Sequence, residues 1–241
     1  MRYRFGTDIG LKRDENQDAV RCEYFGHNIL AVVCDGMGGE RAGKEASCVA
    51  IEEFFQRFSA GYSEKLDDEA IRKLLISSVS AANSVIYTRA RLDFKNFGMG
   101  TTCVAAFVNQ KSVFIVNVGD SRAYLVTDRE LMKITNDHNV ASLLYEQGKI
   151  TAEEMEVHPQ KHMLVKAVGV EKTVLPDTFV LDYENKISLL LCSDGLSGYC
   201  SDDEIYSVIL NSTFDNVADE LIQLALSKGG RDNVTVAVIS D

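Results

Sequence analysis

The sequence predicts an α+β fold in which antiparallel sheets are covered by helices. Apolar runs of strand length recur in pairs separated by three or four polar residues, the spacing of hairpins and hence of antiparallel pairing. Four other stretches carry apolar residues at helical spacing. No heptad, internal repeat or low-complexity stretch interrupts the pattern. The chain has 241 residues, 46% hydrophobic and 25% charged with two prolines, an ordinary globular composition with length enough to bury a substantial core. A single domain over residues 1–241 is expected, because no linker is marked and the core pattern resumes after one irregular stretch.

Residues 19–25 and 29–34 flank Gly26-His27-Asn28, and residues 102–108 and 112–118 flank Asn109-Gln110-Lys111, giving two hairpins. A third joins 122–126 to 131–134. Further strands are expected at 174–181, 187–192 and 234–239. Two helices lie between the first two hairpins. Residues 43–58 space Ala46, Val49, Ala50 and Phe54 helically, and 67–92 align Ile71, Leu74, Leu75, Val79, Ala82 and Ile86 on one face. Asp67-Asp68-Glu69 places negative charge at the second helix's N-terminus. The stretch 136–169 is polar, histidine-bearing and weakly patterned, with a capping box at Thr151-Ala152-Glu153-Glu154. It reads as a flap subdomain inserted into the domain. Ser201-Asp202-Asp203-Glu204 is a second capping box, opening a helix to about residue 210. Val217, Leu221, Leu224 and Ala225 form a last helix that stops at Gly229-Gly230.

Acidic residues outnumber basic ones 36 to 25, a net charge of −11, which argues against a nucleic-acid or anionic-lipid partner. No apolar run nears the roughly 20 residues that span a bilayer, and the basic start Met1-Arg2-Tyr3-Arg4 is followed by no apolar segment. A cytoplasmic protein with no membrane partner is expected. The six cysteines are scattered singly, so buried free thiols are expected in place of a disulfide framework or a zinc site.

One pattern recurs. Apolar strands end in Asp with glycine beside it at Cys34-Asp35-Gly36, Val118-Gly119-Asp120 and Ser193-Asp194-Gly195. Asp232 precedes the last strand and Asp18 begins the first expected one. A single Asp-Gly pair is an ordinary turn. Several carboxylates gathered at buried strand ends repel one another, and raised pKa values or cations must relieve them. Oxygen ligands without His or Cys favour Mg²⁺ or Mn²⁺ over zinc, and two such ions bridged by hydroxide hydrolyse phosphate esters.

The segments Arg13-Asp14-Glu15-Asn16-Gln17-Asp18, Asp35-Gly36-Met37-Gly38-Gly39, Gly98-Met99-Gly100-Thr101-Thr102, Val118-Gly119-Asp120-Ser121-Arg122, Ser193-Asp194-Gly195-Leu196 and Asp232-Asn233 carry a resemblance over residues 6–239. In order and spacing the chain resembles the metal-dependent serine/threonine protein phosphatases (the PPM family, type 2C), particularly compact bacterial members. The resemblance implies two packed antiparallel sheets with helices on both outer faces, an αββα sandwich. It implies that Asp35 bridges two core Mn²⁺ or Mg²⁺ ions, that the Gly36 carbonyl binds one of them, and that Asp194 and Asp232 hold the other. Asp18 would act through water, Asp120 would belong to a third, weaker ion, and Arg13 would grip the substrate phosphate. The implied reaction is hydrolysis of phosphoserine and phosphothreonine by direct attack of a metal-bridging hydroxide. Implied partners are phosphorylated proteins, including a serine/threonine kinase and its substrates, met by a monomer. The alternative is a non-catalytic pseudophosphatase that binds phosphoprotein.

Two positions depart from the eukaryotic pattern. Met37 stands where those enzymes carry a histidine, and a thioether cannot donate a proton to the leaving group. Gln17 stands where some relatives carry Glu. His138 is read as a loop residue, and His158 and His162, around Pro159, as a turn. Gly36-Met37-Gly38-Gly39 lacks the spacing of a nucleotide-binding loop, and Ser47, Ser121 and Ser193 lack a nucleophile-elbow pattern.

Overall fold

The computed structural model describes residues 1–96, 98–183 and 187–241. Strand β3 (Asn28–Met37) is apolar at consecutive positions because both its faces are buried. Ile29, Ala31 and Val33 join one cluster, while Leu30, Val32 and Cys34 join another, as the two-residue period of a strand requires. It lies in a sheet of order β2 (Asp18–Phe25), β3, β5 (Cys103–Val108), β6 (Ser112–Val118) and β9 (Asp177–Asp182), with β4 (Gly100–Thr101) paired to the end of β3. The second sheet runs β1 (Arg2–Asp8), β11 (Val234–Ser240), β10 (Ser188–Cys192), β7 (Arg122–Val126) and β8 (Leu131–Lys133). Neighbouring strands in both are antiparallel.

The middle cluster seals the sheets face to face, with Val104, Ala106 and Ile115 from one and Leu189, Leu191, Ala237 and Ile239 from the other. Helices α1 (Gly39–Gly61) and α2 (Asp68–Leu92) cover the outer face of the first sheet through Phe54, Phe58, Leu75, Val79 and Ile86. On the second sheet, α6 (Asp202–Asn211) and α7 (Val217–Ser227) bury Ile205, Leu221 and Ala225 against Val234, Val236 and Val238. The expected αββα sandwich is therefore the observed architecture. Three buried clusters explain why the central strands read as unbroken apolar runs.

Between β8 and β9 the chain leaves the sheets and forms α3 (Val140–Glu146) and α4 (Ala152–Glu156). Asn139 caps the first by accepting from the Ser142 N–H, and Thr151 and Glu154 form the expected capping box of the second. A short helix α5 (Asp194–Ser197) follows β10 directly.

Several expectations change. The first expected strand is second in the chain, because Arg2–Asp8 forms β1 at a sheet edge, where a largely exposed strand needs no apolar run. The strand expected at 174–181 starts at Asp177, after Pro176, which has no N–H to give a ladder. Helix α1 begins at Gly39, four residues before the expected start, and α3 carries too few residues to show a period. Cys48 is exposed, whereas the other five cysteines are buried and free. Among the described residues no helix is long and apolar enough to cross a membrane.

The entry to the inserted segment is anchored by one buried carboxylate. Asp137, 7% exposed, accepts from Arg122 at 2.7 Å and lies 3.0 Å from Lys133 Nζ. Burial alone would raise its pKa, but Arg122 and Lys133 hold it below the usual carboxylate value. A depressed folded pKa stabilises above the unfolded value and is lost as pH falls through the folded one. Asp137→Asn is therefore expected to cost about 2–3 kcal/mol at pH 7. Urea denaturation should show that difference shrinking below about pH 4; a difference independent of pH would refute the assignment.

Candidate active site

The β2–β3 register sets Asp18 directly opposite Asp35, an arrangement in which like charges repel. At this end of the sandwich the second sheet contributes Asp194, at the turn from β10 into α5, and Asp232, just before β11. Asp120 follows β6 after Gly119, whose φ of 105° is open to glycine. Arg13, Asp35, Gly36, Asp120, Asp194 and Asp232 all line one cleft of about 1090 Å³. Asp18 lies beneath it, 7% exposed. Every candidate residue named from the sequence thus converges on one place.

Two Asp-Gly pairs owe their glycine to close approach. A Cβ at Gly36 would stand 2.0 Å from the Gly43 carbonyl oxygen and 2.7 Å from that of Gln17, and one at Gly195 would stand 1.8 Å from the Asn233 oxygen. The second contact presses the loop bearing Asp194 onto the loop bearing Asp232. Hydroxyls and amides then fix the acids. Ser193 Oγ donates to Asp18 Oδ2 at 2.7 Å and accepts from the Thr235 N–H at 3.0 Å, tying the two sheets together. Thr102 Oγ1 accepts from the Asp35 N–H at 2.8 Å and lies 2.7 Å from Ser121 Oγ. Asn233 accepts from the Gln17 N–H and donates to the Ile9 and Glu15 carbonyls, bracing the loop that carries Arg13. Arg13 itself donates to Asp232 at 2.8 Å from a half-exposed position.

His138 is not a solvated loop residue. Its Nδ1 accepts from the Gly119 N–H at 3.0 Å and its Nε2 faces Asp177 at 3.1 Å, so it pins the turn that presents Asp120. The two remaining histidines of the 136–169 segment divide. His158 makes the expected turn, accepting from the Gln160 N–H. His162 instead lines the cleft, with Nδ1 3.2 Å from Asp194 Oδ2. Sequence reasoning missed His162, Ser193 and Asn233 as parts of the site. Adjacency to Asp194 and Asp232 was the available signal for the last two.

The electrostatics follow from crowding. Burial pushes the Asp18 carboxyl up to about 7, with Asp194 and Asp232 adding to the rise. Asp35 stands well above the usual range through burial, then through Asp18, Asp194, Asp120 and Asp232. Asp120 is raised by burial and by Asp194. Asp18 Oδ1 is buried without a hydrogen-bond partner. Among the described residues no three His, Cys, Asp or Glu side chains close round a single point, so the acids form an open row, not a cage. An all-oxygen set of acids on an open cleft, with Asp18 Oδ1 unpartnered, fits hard divalent cations that keep part of their water.

The model of the family described as protein phosphatase 2C matches residues 11–231. The chain is 37% identical to the serine/threonine phosphatase stp of Listeria monocytogenes, over 99% of this chain and 95% of that protein. Among solved structures it is similar to serine/threonine phosphatase Stp1 from Staphylococcus aureus, at a TM-score of 0.91 and 39% identity over 98% of this chain and 93% of that one. It is also similar to the catalytic domain of serine threonine protein phosphatase PstP in complex with two manganese ions, at a TM-score of 0.85 and 34% identity over 100% of this chain and 97% of that one.

A raised folded pKa has a definite sign. Between about pH 4, where an unfolded aspartate ionises, and pH 7, the folded Asp18 holds a proton that the unfolded chain has lost, so ionisation weakens the metal-free fold as pH rises. In EDTA, Asp18→Asn is expected to match the wild type near pH 4 and to exceed it by about 2–4 kcal/mol above pH 7. Chemical denaturation at several pH values measures the gap, and a gap that does not widen with pH would contradict the crowding argument.

Proposed function

The chain belongs to the protein phosphatase 2C family, and we propose that it is a protein-serine/threonine phosphatase that hydrolyses phosphoserine and phosphothreonine with the help of Mn²⁺ or Mg²⁺. The observation that carries this reading is the row of Asp35, Asp194, Asp232 and Asp120 on one cleft, above a buried Asp18 with an unpartnered oxygen. Asp35 would be shared by two core ions, with the Gly36 carbonyl on one and Asp194 and Asp232 on the other; Asp18 would act through water and Asp120 would serve a third, weaker site. When bound, the cations supply a nucleophilic water of lowered pKa and offset charge on the phosphate oxygens.

The chain's own residues do the rest. Arg13, half-exposed at the cleft mouth, releases Asp232 and turns its planar fork onto the phosphate. The carboxylates stay fixed while charge moves, because Ser193, Thr102 and Asn233 hold their loops. Water attacks phosphorus, the P–O ester bond breaks, and the serine or threonine oxygen takes a proton. Met37 lines the cleft but cannot donate one, and His162 is the flap side chain there that can. Proposed partners are phosphorylated proteins, including a serine/threonine kinase and its substrates.

The test is hydrolysis of a phosphothreonine peptide with Mn²⁺. Wild type should turn over and EDTA should abolish turnover. Asp35→Asn and Asp194→Asn should each lose more than about 100-fold in kcat, beyond what loss of a residue that merely orients a ligand produces. An inactive wild type with metal bound would favour the phosphoprotein-binding module, and active variants would refute the ligand assignment. Asp120→Asn is expected to keep two ions by calorimetric titration while losing turnover at low Mn²⁺; loss of both ions would refute a separate third site.

A further inference from the structure

The cleft does not end at Met37. A second cavity of about 200 Å³ opens beside it, and Met37 and Leu164 line both. Its other walls are mainly aliphatic, with Val165, Ala167, Val170, Val174 and Leu175. Lys166, Glu171 and Thr173 also line it. Val165 is 49% exposed, Val170 40% and Leu175 71%. One exposed aliphatic residue needs no explanation. Three on the rim of one concavity that shares Met37 and Leu164 with the cleft form an apolar surface directly beside the acids.

The walls are built in advance. Val168, between Val165 and Val170, exchanges two backbone hydrogen bonds with Thr101 of β4. Asn83 of α2, 1% exposed, accepts from the Gly169 N–H at 2.7 Å and donates to the Glu171 and Lys172 carbonyls. Of the charged rim groups, Lys166 is held at 2.9 Å by Asp177, and Glu171 faces solvent. At the junction with the cleft, a Cβ on Gly100 would stand 2.8 Å from Val170 Cγ2 and 2.9 Å from Met37 Cε. The thioether and the valine thus meet over a glycine, and Met37 forms the party wall between the acid row and the apolar cavity.

We infer that this cavity is a specificity subsite that takes one aliphatic side chain of the phosphoprotein substrate, a few residues from the phosphorylated serine or threonine. The inference rests on the phosphatase reading above, because the occupant is a segment whose phosphoresidue lies in the cleft. Continuity supplies the direction: Met37 and Leu164 line both the cleft that holds the acids and the cavity, so a chain seated with its phosphate over the acids passes beside it. Size supplies the chemistry. A volume of about 200 Å³ is below the roughly 300–1,000 Å³ of small-molecule sites, and suits a leucine, isoleucine, valine or methionine. Met37 adapts its shape to any of these.

The test is a set of phosphothreonine peptides in which each position from four before to four after the phosphoresidue is leucine or asparagine, with p-nitrophenyl phosphate as a substrate lacking flanks. At one side of the phosphothreonine, leucine is expected to raise kcat/KM about 10-fold over asparagine. Leu175→Asp, at the exposed rim, and Val170→Asp, at the junction, should each bring that ratio close to one. A wild-type ratio near one at every position, with all peptides and p-nitrophenyl phosphate hydrolysed, overturns the subsite and leaves the phosphatase reading standing. A preference that survives both variants also overturns it. No hydrolysis of any substrate with Mn²⁺ overturns the phosphatase reading and the subsite with it.

Discussion

The site is organised around the forced approach of Asp18 to Asp35. Paired strands place the two carboxylates opposite each other, next to Asp194 and Asp232 from the other sheet. Nothing in the packing demands acids there; a Ser or Val at either position would suit a buried strand end better. The arrangement stores electrostatic free energy, visible in the elevated pKa values of Asp18, Asp35 and Asp120. A fold keeps such a feature only if its surroundings are rigid enough to hold the charges and stable enough to bear the cost.

Both conditions are met by the sandwich. Three apolar clusters sit on and between the two sheets, so strand positions cannot relax to separate the acids without breaking a close-packed core. At the cleft itself the holding groups are small and neutral. Ser193, Thr102, Ser121 and Asn233 add hydrogen bonds without adding charge, which leaves the row's negative potential available to cations. The cationic side chains nearby are placed off the floor. Arg13 is half-exposed at the mouth, and Arg122 is engaged by Asp137.

Legibility followed the physics of each element. The central strands and the two long helices were readable because burial forces a period or an apolar run on the sequence, as at 29–34 and in the Ile71, Leu75, Val79 series. The acids were readable because Asp beside Gly at the end of an apolar strand is a costly choice, repeated. β1 was not, since an edge strand with exposed faces is free of patterning. The functions of Ser193, Asn233 and His138 were not readable either. Each acts on a residue far away in sequence, Asp18, Gln17 and Gly119 respectively, and only the register of strands in two different sheets brings them together. His162 was hidden for the same reason, its partner Asp194 lying across the cleft.

The acidity of the chain takes on a different meaning once the row is located. Asp18, Asp35, Asp120, Asp194 and Asp232 are five of 36 acidic residues, yet they are the ones set where charge cannot be dispersed into water. Under the proposed reading, two divalent ions bring the net charge from −11 to about −7. The change is local, since both ions would enter the cleft, and it would turn a cluster of acids into a place that accepts a phosphate. Of the remaining acids, Asp137 is buried against Arg122 and Lys133, and most of the others lie toward solvent. For an acidic phosphoprotein, repulsion by the net negative chain is screened beyond about 10 Å, so productive encounter rests on the short range where Arg13 and the cleft walls act. Recognition beyond the phosphate must then come from contacts that charge screening does not touch, and the aliphatic wall next to Met37 is of that kind.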